Sequence, residues 1–272
     1  MEMIPAYSNY KILVVALLFS FGVCKSQNKD TLSKYSYWMT GYKEMDSSFL
    51  FNVATCFFVR NNNNLYLVTS NHVISGCDES QNKKLHPDIA QIWIEDSTGH
   101  PAEVITVNVT YERDTSKCYD FTEVADVMVL KMPAKGYEKI NSVEKFLQPP
   151  FKKINQLIIF GYPASGVDYK IASKLKIKNN PKVVTHFALF NNKNDTIPKI
   201  DSINYNVVTN SIPINNTLKG YSGSPVFLQD KTTKRWRIAG VFSGALTATN
   251  TGYLSVAKID YVLKQIEKLN VK

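Results

Sequence analysis

Gly220-Tyr221-Ser222-Gly223-Ser224-Pro225, followed by the apolar run Val226-Phe227-Leu228, sets one serine between glycines at the mouth of a strand. Glycines let a backbone turn tightly and approach a reacting carbonyl with no Cβ in the way, and the amides of Gly220 and Ser222 could then form an oxyanion hole. The same composition also suits an ordinary turn, so the chemistry requires partners. A serine hydroxyl is a weak nucleophile near neutral pH and needs a base, which in turn needs an orienting acid. Of the four histidines, His72 follows the apolar run Leu65–Thr69 through Ser70-Asn71. It is held at the end of a buried strand yet can reach a cleft. His86 and His100 lie beside prolines in turn-like segments, and His186 alternates within a strand. Asp126 opens the apolar run Val127-Met128-Val129-Leu130. A carboxylate there needs a partner, because an unpaired buried charge is costly. A cap or structural ion pair would also satisfy it. Asp114 and Asp120 sit in polar loops with no such demand.

These groups must be positioned by strands. The chain has 272 residues, 44% of them hydrophobic, 12 Gly and 11 Pro, which fits a folded protein with a substantial core and excludes disorder, collagen and coiled coil. Val53–Val59 and Leu65–Thr69 flank four asparagines, residues 61–64, whose tolerance of positive φ predicts a hairpin. Further strands are expected at Ile89–Glu95, Ala102–Val109, Asp126–Met132, Gln156–Tyr162, Lys170–Lys178, Lys182–Leu189, Ile203–Thr209, Pro225–Leu228, Trp236–Phe242 and Gly252–Ala257. About a dozen short strands separated by turn residues argue for sandwiches or barrels. Lys258–Asn270 departs from that pattern. Ile259, Val262, Leu263, Ile266 and Leu269 recur at helical spacing, predicting an amphipathic helix. Asn141–Lys153, with Pro149-Pro150 and no alternation, is the best boundary between two halves.

The order His72, Asp126, Ser222 resembles the trypsin-like serine peptidases of the chymotrypsin fold, bacterial type. The similarity runs over roughly residues 50–270 and includes Ala54-Thr55-Cys56-Phe57-Phe58-Val59, Leu65–His72, Ala125–Leu130, Gly161-Tyr162-Pro163, the serine motif, and Ile238–Gly244. The resemblance implies an all-β fold of two packed six-stranded antiparallel β-barrels with a C-terminal α-helix. Residues 27–145 would carry the histidine and aspartate, and residues 146–272 the serine. It also implies a serine endopeptidase that needs no metal or cofactor and takes an extended peptide along Val241–Ala245, with Phe242, Ser243 and Gly244 on the substrate side. The floor of the primary pocket would fall at Asn216 and Thr217, where no acid stands to select Lys or Arg. Phe242 occupies the place of the histidine of glutamate-specific members. Uncharged side chains are therefore expected at the cleavage site.

Three residues depart from the family pattern. Tyr221 replaces the aspartate that pairs with a newly cut N-terminus in zymogen-activated members, so activation by such an ion pair is not expected. Ser224 and Cys56 replace glycines, and both are expected to crowd the cleft. An inactive peptidase fold used as a binding module is the competing reading.

At the N-terminus, Ile12–Val23 is an apolar run of twelve residues between Lys11 and Lys25. A bilayer span takes about 20, so this run has the size of a signal-peptide core. Residues 1–26 are read as a signal peptide cleaved after Ser26, with a lipid anchor at Cys24 as the alternative. The protein would then be exported, periplasmic or secreted, with no transmembrane span in the mature chain. Cys56, Cys77 and Cys118 remain. They allow a Cys77–Cys118 disulfide or three free thiols, and their spacing matches no zinc pattern. The formal charge of +9 is scattered. In Lys170–Lys182 the alternation of Lys174, Lys176 and Lys178 with apolar residues reads as a solvated strand face, and no nucleic-acid partner is expected.

Overall fold

The hairpin at the asparagines adopts the geometry its residues favour. Asn62 and Asn63 both take positive φ, 49° and 66°, and Asn61 pairs with Asn64 across the turn. The computed structural model of the protein describes residues 31–45, 48–75, 89–95, 101–108, 125–132, 137–147, 154–162, 167–168, 176–177, 184–189, 204–209, 218–248 and 251–271.

Two six-stranded antiparallel sheets carry the fold. The first contains β1 (Tyr37–Met45), β2 (Ser48–Asn61), β3 (Asn64–Thr69), β4 (Ile89–Glu95), β5 (Pro101–Asn108) and β6 (Met128–Lys131), in the order β5-β4-β1-β2-β3-β6. β7 (Ile154–Gly161) starts the second. After the two-residue pair β8 (Val167–Asp168) and β9 (Lys176–Ile177) come β10 (Val184–Leu189), β11 (Asn204–Thr209), β12 (Pro225–Asp230), β13 (Trp236–Ala248) and β14 (Thr251–Lys258). The second sheet runs β10-β7-β12-β13-β14-β11. α1 (Asn71–Ser75) is one turn, and α2 (Ile259–Val271) closes the described chain. An all-β, chymotrypsin-like fold with six strands in each half and a terminal helix is what the sequence led one to expect.

Two elements differ from expectation, and a third lies largely outside the described residues. β1 had no sequence signal, because Thr40, Gly41, Lys43 and Glu44 interrupt its apolar alternation; it nevertheless pairs with both β2 and β4. β6 begins at Met128 instead of Asp126, since residues 125–127 turn, with the Val127 N–H donating to the Ala125 carbonyl at 2.8 Å. Of the expected strand Lys170–Lys178, only Lys176–Ile177 lies among the described residues, so the lysine face of Lys174 and Lys178 falls outside them.

Strand alternation sorts the apolar residues into separate cores. Ala54, Cys56 and Phe58 of β2 and Leu65 and Leu67 of β3 pack inside the first sheet with Ile92 and Ile105. Leu157, Ile159, Val226 and Phe242 do the same in the second. Their neighbours Phe57, Val59, Tyr66 and Val68 face the other way. They meet Ile158, Phe160, Phe227, Ile238 and Val241 of the second sheet. Central strands are thus buried on both faces, which is why Ala54–Val59 reads as a nearly continuous apolar run with one polar member, Thr55. Leu32, Tyr35, Phe146 and the helix residues Val262 and Ile266 fill the same seam. Burying each such side chain contributes about 1.5–3 kcal/mol, so the seam holds the two halves together as a continuous core. Ser36 reinforces it by donating through its hydroxyl to the Phe160 carbonyl at 2.6 Å.

Candidate active site

β3 ends at Thr69, and α1 places His72 in the first turn beyond it. Buried Ser70 fixes that corner. Its hydroxyl donates to the Phe242 carbonyl on β13 at 2.9 Å, and its own carbonyl accepts the Val73 N–H at 3.3 Å. Met128 pairs with Thr69, so the turn leading into β6 delivers Asp126 beside the histidine. One carboxylate oxygen, Oδ1, accepts the His72 backbone N–H at 2.8 Å. The other, Oδ2, lies 2.6 Å from His72 Nδ1. A carboxylate accepts only, so Nδ1 carries the proton and Nε2 presents its lone pair. Nε2 stands 2.9 Å from the Ser222 hydroxyl oxygen. Asp126 is 4% exposed and the His72 side chain 28%. The acid is therefore sealed in while the imidazole reaches solvent.

The loop bearing Ser222 is set by its glycines. Gly220 and Gly223 take φ of 92° and 88°, a region L-residues with a Cβ seldom adopt. A Cβ on Gly223 would stand 2.1 Å from the Thr55 carbonyl oxygen and 2.2 Å from the Thr69 hydroxyl, so the loop packs directly against β2 and β3. Its amides can be accounted for one by one. Tyr221 N–H donates to the Leu218 carbonyl at 3.1 Å, Gly223 N–H to Phe242 at 2.8 Å, and Ser224 N–H to Tyr221 at 2.9 Å. Among the described residues, the N–H groups of Gly220 and Ser222 donate to no backbone carbonyl. These are the two that the sequence named as oxyanion donors.

Of the residues expected on the substrate side, Ser243 and Gly244 are half-buried, and a register shift in the β13–β14 pairing leaves Ser243 out of the ladder between Phe242 and Gly244. Phe242 is placed differently. Its ring is 1% exposed within the second sheet's core, its N–H donates to the Ser224 carbonyl at 2.9 Å, and its carbonyl accepts from Gly223 and Ser70. Asn216 and Thr217 lie outside the described residues, as do Cys24, Cys77, Cys118 and residues 1–26.

The expectation that Cys56 and Ser224 crowd the cleft is corrected. Both are fully buried. Cys56 belongs to the first sheet's core, where burial pushes its thiol well above the usual range. The Ser224 hydroxyl points toward Gly161, 2.7 Å from where a Cβ there would stand. Tyr221 is also buried, its ring against Gly161 and in the second sheet's core, and burial raises its hydroxyl pKa. A buried aromatic ring thus stands where the sequence resemblance places the aspartate of zymogen-activated members. No group of three or more His, Cys, Asp or Glu capable of holding a metal occurs among the described residues. Sequence reasoning gave no role to Thr55, Thr69 or Ser70. The available signal was a hydroxyl residue inside or at the end of an apolar strand.

The family model for the trypsin-like peptidase domain matches residues 54–234. Among solved structures, the backbone is similar to the crystal structure of a thermostable serine protease, AL20, from an extremophilic microorganism. That protein is 14% identical, the match covers 83% of this chain and 92% of that one, and the TM-score is 0.47. No curated protein sequence matches the chain.

Proposed function

Because the chain belongs to the trypsin-like peptidase family, we propose that it is an exported serine endopeptidase working through an acyl-enzyme intermediate. The observation that carries this reading is the continuous relay from Ser222 Oγ to His72 Nε2 at 2.9 Å and from His72 Nδ1 to Asp126 Oδ2 at 2.6 Å. In the proposed mechanism Ser222 attacks the scissile carbonyl while His72 takes its proton. The N–H groups of Gly220 and Ser222 receive the negative charge that develops on the carbonyl oxygen. His72 then passes the proton to the leaving amine, and Asp126 stabilises the imidazolium without being protonated. Water, activated by the same imidazole, releases the acyl group. An extended peptide would lie along Val241–Ala245, where Ser243 stands outside the β13–β14 ladder. The chemistry asks for no metal or cofactor.

The interior placement of Cys56 and Ser224 removes the two features that favoured an inactive binding module. Residues 27–145 and 146–272 are proposed as the two halves contributing the base and acid on one side and the nucleophile on the other. Export is proposed on the apolar run Ile12–Val23, and none of the described helices is long and apolar enough to cross a membrane. The purified protein is expected to cleave denatured casein, with preference for uncharged residues at the cleavage site, and Ser222→Ala to abolish that cleavage. Proteolysis that persists in Ser222→Ala would overturn the reading. For export, the mature protein is expected to begin at Gln27, and a mass corresponding to an acylated Cys24 would replace that assignment with the lipid anchor.

A further inference from the structure

Thr55 is fully buried and sits on β2, in the opposite half of the molecule from the nucleophile. Its polar atoms nevertheless reach across the seam to the serine loop. The hydroxyl donates to the Gly220 carbonyl at 2.8 Å and accepts the Tyr162 N–H, just past β7, at 3.0 Å. Its N–H donates to the Ser222 carbonyl at 2.9 Å. Its carbonyl accepts the Thr69 hydroxyl at 2.9 Å, which ties it to the strand that delivers His72.

The consequence follows from which peptide units are held. The Gly220–Tyr221 peptide is fixed at its carbonyl by the Thr55 hydroxyl and at its N–H by Leu218. The Ser222–Gly223 peptide is fixed at its carbonyl by the Thr55 N–H and at its N–H by Phe242. The Tyr221–Ser222 peptide between them has its carbonyl taken by Ser224. With its neighbours locked and its peptide bond trans, that unit holds its Ser222 N–H on the edge opposite the Tyr221 carbonyl, and the Gly220 N–H stands immediately before the first locked peptide. An oxyanion hole accelerates reaction only when its donors are held in place before charge develops.

We propose that Thr55 is the positioning residue of the oxyanion hole. Through its hydroxyl and backbone N–H it holds the loop from Gly220 to Gly223 in the donor-presenting conformation, ready-made and without a new N-terminus. This rests on the serine peptidase reading above. Tyr221 contributes the anchor on the other side, its ring seated where a Cβ on Gly161 would fall, while Thr55 sets the direction of the amides.

The test compares wild type, Thr55→Val, which keeps the shape and loses the hydroxyl, and Thr55→Ser, which restores the hydroxyl on a smaller side chain. The readout is the second-order rate of phosphonylation by a fluorophosphonate, whose phosphoryl oxygen must enter the same donors. Thr55→Val is expected to slow labelling by at least tenfold, less than the roughly 10²–10³-fold lost when an oxyanion donor itself is removed. Thr55→Ser should label within about threefold of wild type. The inflection of the pH–rate profile is expected to stay in place in all three proteins, because the His72–Asp126 pair is untouched. Thr55→Val labelling at the wild-type rate would overturn the proposal, as would a slow rate that Thr55→Ser fails to restore. A moved inflection would show that the substitution acts by disturbing the base, and would also overturn it. Should Thr55→Val fail to fold, the comparison of Thr55→Ser with Thr55→Ala decides by the same criteria. Absence of labelling in wild type would instead refute the peptidase reading itself.

Discussion

Asp126→Asn separates charge and tautomer from geometry, because the site dictates which way the new amide must face. Oδ1 of Asp126 accepts the His72 backbone N–H, and Oδ2 faces Nδ1. An asparagine side chain of the same shape must leave its carbonyl oxygen on the backbone N–H, since turning the NH2 there would set two donors against each other in a site only 4% exposed. The NH2 group therefore faces His72 Nδ1. A donor at that position forces Nδ1 to accept, which moves the ring proton to Nε2. The imidazole then points an N–H at Ser222 Oγ, 2.9 Å away, and has no lone pair with which to take the serine proton. The expected loss in turnover is about 10⁴-fold, or about 5.4 kcal/mol of transition-state stabilisation. The assay is steady-state cleavage of a quenched-fluorescent peptide that the wild type turns over, with circular dichroism to show that the fold is retained. A rate within tenfold of wild type in a folded protein would refute the reasoning, because it would mean that the relay does not depend on the tautomer set by Asp126.

Other consequences can be checked on stability. Gly223→Ala combines a left-handed backbone with a Cβ placed 2.1 Å from the Thr55 carbonyl oxygen. The expected cost is about 2–5 kcal/mol, seen as a fall in melting temperature of roughly 4–20 °C, and an unchanged melting temperature would contradict the close packing of the loop on β2. Ser224→Ala removes a hydroxyl that is fully buried and has no hydrogen-bond partner among the described residues. It is expected to leave stability unchanged or raise it by about 1 kcal/mol, and a loss of more than 1 kcal/mol in denaturant titration would mean that the hydroxyl is satisfied. Burial pushes the Tyr37 hydroxyl pKa up to about 12, against hydrogen bonds with Asn141 that lower it. The folded state keeps this proton when the unfolded chain loses it, so stability is fully present below about pH 10 and falls by up to about 1.4 kcal/mol per pH unit from there toward pH 12. Tyr37→Phe should flatten that slope, and an equal slope in both proteins would locate the alkaline sensitivity elsewhere.

The residues that meet at the site were legible in the sequence because each carries a local tension. His72 follows an apolar run, Asp126 is a charge at the head of another, and Ser222 stands among glycines, two of which take positive φ. Such tensions are resolved only by a partner, so three of them in one chain point toward each other. β1 was not legible, because Gly41, Lys43 and Glu44 disrupt its alternation and its place between β4 and β2 is fixed by pairing, which no local pattern records. Cys56 and Ser224 were misread for a related reason. Their identities announce a departure from a glycine, but the face each presents depends on strand alternation in one case and on the direction of a turn in the other, and both point inward. Thr55 was invisible as a functional residue because a lone threonine in an apolar strand looks like an ordinary β-former. Its importance lies in contacts with residues more than a hundred positions away.

The most direct measurement is to treat the purified protein with a fluorophosphonate and locate the adduct by peptide mass spectrometry. A single phosphonylated residue, Ser222, is expected in wild type, with no adduct in Ser222→Ala and labelling slowed by orders of magnitude in His72→Ala. An adduct on another residue, or a wild-type protein that neither reacts nor cleaves any peptide, would contradict the claim that His72, Asp126 and Ser222 form one nucleophilic centre.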